Sequence, residues 1–167
     1  MRIDIYGSRE LQATVLSIRR AERDIQTNIR KFTKTLLMPE WKKALAERAE
    51  TRLEHRALVS TARITMSNQN IKLKSAGLNR KLSGGMNPNV EGHAVEFGAN
   101  REEKTTYDAV SKNGTGYRIT RRTRRQLRPK TTQGYVFYPA VRAMIPRFAS
   151  LWVQTTVRTL ADALDRR

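Results

Sequence analysis

With 167 residues, the chain is long enough for one domain that buries about two thirds of its unfolded surface. Its 33 lysines and arginines against 15 acids give a formal net charge of +18, a field that draws anionic partners and says little about fold. No cysteine is present, which excludes disulfides, thiolate nucleophiles and cysteine zinc sites. No window approaches the roughly 18 apolar residues of a membrane span, and Asp4 interrupts any signal-peptide core, so the expectation is a cytosolic product without a transmembrane segment.

Residues 2–6 alternate as a short strand, and Gly7-Ser8 supplies a turn and an N-cap. Leu11, Val15, Ile18, Ile25, Ile29, Phe32 and Leu36 then recur at threes and fours as a long helix, with Glu22 at the vacant place in the stripe. So narrow a stripe belongs against a small sheet or against another helix. Pro39 ends or bends this helix and suits the start of a second, over residues 39–56, whose apolar face is Trp41, Leu45, Ala49 and Leu53. From Leu58 to Met66 the period changes to two, a strand, and after the turn Ser67–Asn70 the alternation of Ile71 and Leu73 with Lys72 and Lys74 makes a hairpin. Residues 76–89 read as loop and 90–98 as a strand. An extended basic loop follows over 99–134, then a strand over 135–138. Pro139 opens an amphipathic C-terminal helix reaching residue 165, with Val141, Ile145, Phe148, Leu151, Trp152, Leu160 and Leu164 on one face, Thr155, Thr156 and Arg158 away from or beside it, and a kink or true start at Pro146. The expectation is a single α+β domain over residues 1–167. It has a long N-terminal helix bent or broken at Pro39, a small, mostly antiparallel sheet with the basic loop, and the C-terminal helix.

Little in the chain points to catalysis. His55 and His93 are isolated; Glu91, His93 and Glu96 make a weak ligand or acid–base cluster against the alternative of ordinary solvent-facing polar residues. Glu22 is either a buried carboxylate or, more simply, a rim residue paired with Arg19 or Arg23. No phosphate loop, dinucleotide fingerprint or nucleophile elbow occurs, so no catalytic residue, metal or cofactor is expected and the chain is not expected to be an enzyme. Charge is what remains. Residues 101–130 hold 10 basic and 3 acidic side chains, and the run from Tyr117 to Lys130 carries Arg118, Arg121, Arg122, Arg124, Arg125, Arg128 and Lys130 with no acid. These cations suit phosphate contacts, or the acids of a neighbouring subunit. With Tyr117 the one aromatic among them, stacking on single-stranded bases is not favoured.

The segments Ala94-Val95-Glu96-Phe97-Gly98 and Tyr135-Val136-Phe137-Tyr138-Pro139-Ala140-Val141, the second entering a terminal helix, resemble the small tail-completion or neck proteins of long-tailed bacteriophages. The resemblance implies a structural virion protein, commonly a hexameric ring, set in the head–tail connector between the portal side and the tail, around the DNA channel. Its partners would be further copies of itself, the adjacent connector and tail proteins, and genomic duplex DNA bound without sequence specificity. It would lie in the virion neck, and in the host cytoplasm during assembly. A tail terminator capping the tube is the alternative within that class, and a sequence-independent nucleic-acid-binding protein the alternative outside it. In this picture Glu96, Phe97, Gly98, Phe137, Pro139, Phe148 and Trp152 serve fold and assembly. Gly98 would let the chain leave a strand in a backbone geometry other residues resist, Phe97 and Phe137 would join sheet to helix, and Pro139 would set a strand-to-helix turn.

Overall fold

The helical period expected through residue 38 is realised as two helices. α1 spans Arg9–Arg20 and α2 spans Arg23–Ala46 in the computed structural model, which describes residues 2–5, 9–21 and 23–165. The Gly7-Ser8 cap, Glu22, and the burial of Ile3, Ile5 and Leu11 lie outside the described residues. The helices part near Ala21, whose carbonyl accepts the Gln26 side-chain amide at 2.8 Å. Pro39 breaks nothing and sits inside α2. Proline removes the donor for the carbonyl four residues back, here that of Thr35; both residues are exposed, so water can take the donor's place, while Leu37, Trp41, Ala44 and Leu45 hold the opposite side in the core. Pro39→Ala is expected to raise stability by about 2 kcal/mol, the interior penalty of about 3 kcal/mol less about 1 kcal/mol of unfolded-state entropy, read as a higher urea midpoint at unchanged slope.

The apolar stripe keeps its phase across the split, with Ile18 and Ile29 buried and Ile25 packed on the core, and departs only after Ile29. α2 buries Ile29, Thr33, Leu37, Trp41, Ala44 and Leu45, while Phe32 and Leu36 turn outward, each 51% exposed.

A second helix from Pro39 to Arg56 does not form. After Ala46 the chain turns and restarts at a reciprocal cap: the Glu54 amide donates to Thr51 Oγ1 at 3.1 Å, and Glu54 Oε2 accepts the amides of Thr51 and Glu50 at 3.0 and 2.8 Å. The short α3, Arg52–Glu54, runs on as a wider π turn over His55–Val59. The strand expected from Leu58 therefore begins only at Arg63. Thr61 explains the delay, since its hydroxyl donates to the Ala57 carbonyl at 2.6 Å and accepts the Ala76 amide at 2.7 Å, so residues 57–61 stay coiled.

β2 (Arg63–Met66) and β3 (Ile71–Lys74) form the expected hairpin, and β1 (Arg2–Ile5) pairs on the far side of β3 in an antiparallel sheet of order β1-β3-β2. Ile64, Leu73 and Ile71 are buried.

The remaining expected strands are corrected. Residues 90–98 belong to α4, Pro88–Phe97, which opens on an Asn87 cap accepting the Asn89 amide at 3.1 Å, with Pro88 in its first turn and the Glu91 carboxylate accepting the Asn87 amide at 3.1 Å. Residues 135–138 are no strand either: they enter α5, Phe137–Asp165, which runs through Pro146 with Arg142 and Pro146 both exposed, the pattern seen at Pro39. The stretch 99–134 is not an extended loop throughout, because β4 (Thr105–Val110) and β5 (Gly116–Arg121) pair within it as a two-stranded antiparallel sheet.

The class is α+β. α5 packs along α2 and α1, and Trp41 meets Phe137 and Phe148 edge-on at 5.5 and 6.3 Å between ring centroids. Trp152 and Thr156 complete the buried face of α5; Thr156 bonds back to the Trp152 carbonyl at 2.9 Å and lies in the core, not beside it.

Candidate functional site

Glu96 organises the junction between α4, the basic excursion and α5. An α-helix leaves the amides of its cap and first three residues without internal acceptors. In α5 these belong to Val136, Phe137, Tyr138 and Pro139. Glu96 takes the first three: Val136 N lies 3.3 and 3.2 Å from its two oxygens, Phe137 N 2.8 Å from Oε2, and Tyr138 N 3.0 Å from Oε1. Proline has no amide to satisfy. One carboxylate and one proline therefore close the helix start, and the charge of Glu96 complements the positive end of the α5 dipole, whose own first turn has no acid. Gly134, at φ +76, admits the carboxylate, because a Cβ there would collide with Glu96 Oε1. Glu96 is fully buried and not a solvent-facing residue of a strand. Burial raises its pKa above 4.5, opposed by the Phe137, Tyr138 and Val136 amides and reinforced by the nearby Glu54 charge.

The two exits of the excursion are fastened at the same place. Ala99 N donates to the Arg128 carbonyl at 3.0 Å, Thr131 N to the Phe97 carbonyl at 2.8 Å, and Tyr135 N to the Glu96 carbonyl at 3.0 Å. Gly98, at φ +70, allows this approach, since a Cβ would strike the carbonyl oxygens of Arg128 and Pro129. Its special geometry is real, though it ends a helix where a strand had been expected. Phe97 lies between His93 and Tyr138 at 4.5 and 5.3 Å, and Phe137 lies on Trp41, so neither joins a sheet to a helix. Pro139 belongs to a turn-to-helix junction, and Phe148 and Trp152 are buried in the α5 core face.

The arginines divide into two groups. Arg128 belongs to the junction: it reaches Glu50 at 3.1 Å and the buried Glu54 at 3.6 Å, and lies 3.9 Å over the Tyr135 ring, whose hydroxyl donates to the Pro129 carbonyl at 2.7 Å. The others ride on the outer part. Arg118 pairs with Asp108 at 3.2 Å, Arg122 and Arg125 share Glu102 at 2.9 and 3.6 Å, and Arg124 pairs with Glu103. All three acids of residues 101–130 are thus engaged by arginines of the same segment. Arg121 and Lys130 make no ion pair with a described residue. Exposed pairs of this kind contribute about 0–1 kcal/mol each, so they orient the arginines more than they stabilise the fold.

β4 and β5 rest on each other and make at most marginal contact with the other described helices and strands. By register, Tyr107, Ala109, Tyr117 and Ile119 share one face of this hairpin, while Thr106, Asp108, Arg118 and Thr120 share the other. The Thr106 and Thr120 hydroxyls lie 2.9 Å apart on that polar face. On the helical layer, Phe32 and Leu36 with Leu151 line an open groove of about 450 Å3 between α2 and α5.

Several contributors escaped the sequence reading. Glu54 carried a usable signal in Thr51-x-x-Glu54, a capping-box pattern. Gly134 and the acids facing the arginines carried none within their own windows. No group of three or more histidine or acidic side chains able to hold a metal occurs among the described residues, and the Glu91, His93 and Glu96 cluster disperses, with Glu91 in the α4 cap, His93 on Phe97 and Glu96 in the α5 cap. No helix among the described residues is long and apolar enough to cross a membrane. Comparison with protein-family models, with curated proteins and with solved structures finds no match.

Proposed function

We propose that the chain is a structural virion protein that forms a ring, six copies in the simplest form, in the head–tail connector of a tailed phage. It would join the portal side to the tail around the DNA channel, and pass through the host cytoplasm before assembly. The observation that carries the reading is the β4–β5 arm. An isolated two-stranded hairpin is marginal in water and gains its stability from a third surface. This one leaves Tyr107 and Tyr117 exposed on one face, and its base is fixed by the Gly98 and Glu96 junction, which suits an arm that packs against something outside its own chain. A neighbouring subunit or the next ring supplies such a surface. The open groove at Phe32 and Leu36 is a second apolar surface suited to a closed ring, where every copy presents both halves of a heterologous contact.

The arm cations Arg118, Arg121, Arg122, Arg124, Arg125 and Lys130 would act in that contact. Replacing Arg121, Arg122, Arg124 and Arg125 together with alanine is expected to leave thermal stability within about 1 kcal/mol of the parent and to abolish ring formation, measured by native mass spectrometry and by the yield of joined particles. A parent chain that stays monomeric at high concentration while binding duplex DNA tightly would sink the ring reading in favour of a free nucleic-acid-binding protein. Stacked tube-end caps in place of neck rings would favour the tail terminator.

A further inference from the structure

We infer that the surface of this protein that contacts duplex DNA is a cationic row on α2, formed by Arg23, Arg30, Lys31 and Lys34, and not the arginine-rich arm. The contrast begins with ion pairs. Arg118, Arg122, Arg124, Arg125 and Arg128 all have acidic partners within the chain, and pairing lowers what each can offer a phosphate. On α2 none of the four cations pairs with a described residue. Ile25 to Pro39 contains no acid, and Glu40, the next one, is already held by Arg147 at 3.1 Å.

Their spacing sets the geometry. Arg23, Thr27, Arg30 and Lys34 follow at steps of four, three and four, which places them in one line along a helix, with Lys31 beside it. At 1.5 Å per residue the row is about 16 Å long. A compact anion would meet one or two of these groups; a rod carrying a charge about every 1.7 Å along its axis meets all of them. Arg23, Lys31 and Lys34 are exposed, and the Arg30 guanidinium is held along the row by its bond to Thr27 Oγ1 at 3.0 Å. The row has no aromatic side chain, so it offers phosphate contact without base stacking, which favours the duplex over single strands and gives no sequence preference. Arg19 and Arg20 end α1 immediately before the row and extend its positive field.

The inference rests on the connector reading for the source of the DNA, while the contact itself is testable on isolated protein. The background is the arm-deficient chain described above, carrying alanine at 121, 122, 124 and 125. There, Arg23→Ala, Lys31→Ala and Lys34→Ala are combined and compared with a charge-preserving variant, Lys31→Arg with Lys34→Arg. Binding of two unrelated 20-base-pair duplexes is followed by fluorescence anisotropy across a salt series, with circular dichroism as the check on folding and native mass on each sample. Four phosphate contacts predict a slope of log K against log salt of about −3.6, falling to about −0.9 when three are removed, and unchanged in the charge-preserving variant. Both duplexes should behave alike. An unchanged slope in the folded triple variant overturns the assignment, as does arm-deficient parent protein that ignores DNA, or that binds vesicles of anionic lipid in preference to it. Failure of the ring reading shows separately, in the masses.

Discussion

Glu96→Ala is expected to be the most damaging single substitution in the chain. Three amides at the start of α5 lose their acceptor in a place that water reaches poorly, at about 1–3 kcal/mol for each orphaned group, and the helix loses the anion at its positive end. Partial rehydration recovers some of this, leaving a loss on the order of 4 kcal/mol from a total of about 5–15 kcal/mol for a domain of this kind. The measurement is the urea midpoint with its slope, and a variant within about 1 kcal/mol of the parent would mean that the α5 amides have another acceptor. Glu96→Gln retains one acceptor oxygen but aims amide hydrogens at amide hydrogens, so about half the loss is expected.

Acidity gives this glutamate a second signature. Its folded pKa lies above 4.5 because burial outweighs the three amides that favour the charge. The folded chain therefore holds a proton that the unfolded chain has released, and the stability linked to that proton is complete below 4.5 and lost as pH rises through the folded value. Subtracting the pH profile of Glu96→Gln from that of the parent isolates this component from the other carboxylates. A difference that rises with pH across this window would contradict the assigned direction.

The legible part of the fold was its hydrophobic content. Trp41, Leu45, Phe148 and Trp152 repeat at helical spacing and are buried where the spacing placed them, and the β2–β3 hairpin follows from alternation with a polar turn. What failed was phase and competition between local signals. Past Ile29 the buried positions of α2 follow at steps of four, Thr33, Leu37 and Trp41, so Phe32 and Leu36 fall outside the stripe, and a pattern of threes and fours does not say which step comes next. In α4, residues 90–98 read as a strand, while Asn87-Pro88 ahead of them and Gly98 behind them are helix boundary signals, and the boundaries prevailed. The arginine run seemed unpaired because its window held no acid; Glu102, Glu103 and Asp108 lie upstream, across the hairpin, and Glu50 and Glu54 lie in a different part of the chain. The cap on α5 was least legible of all, since Glu96 and Phe137 are brought together only by the closed excursion.

That closure leads to the second large expected effect, at Gly98. With φ +70 and ψ −172, the residue occupies a region open to glycine and strongly resisted by other side chains. Strain alone would cost about 1–3 kcal/mol, but alanine also brings its Cβ against the carbonyl oxygens of Arg128 and Pro129. Neither can retreat freely: the Arg128 carbonyl accepts Ala99 N, the Pro129 carbonyl accepts the Tyr135 hydroxyl, and the Arg128 side chain is held by Glu50 and Glu54. Gly98→Ala should therefore open the junction, at a cost of about 3 kcal/mol or more. Hydrogen exchange distinguishes opening from general loosening, because the Ala99 and Thr131 amides should lose protection well beyond that lost by the amides of Leu37 and Trp41 in α2. The arm would then remain a hairpin on an untethered base, and ring assembly should fall further than stability does. Full protection at Ala99 and Thr131 in a variant that still fails to assemble would place the arm's directing element somewhere other than this junction.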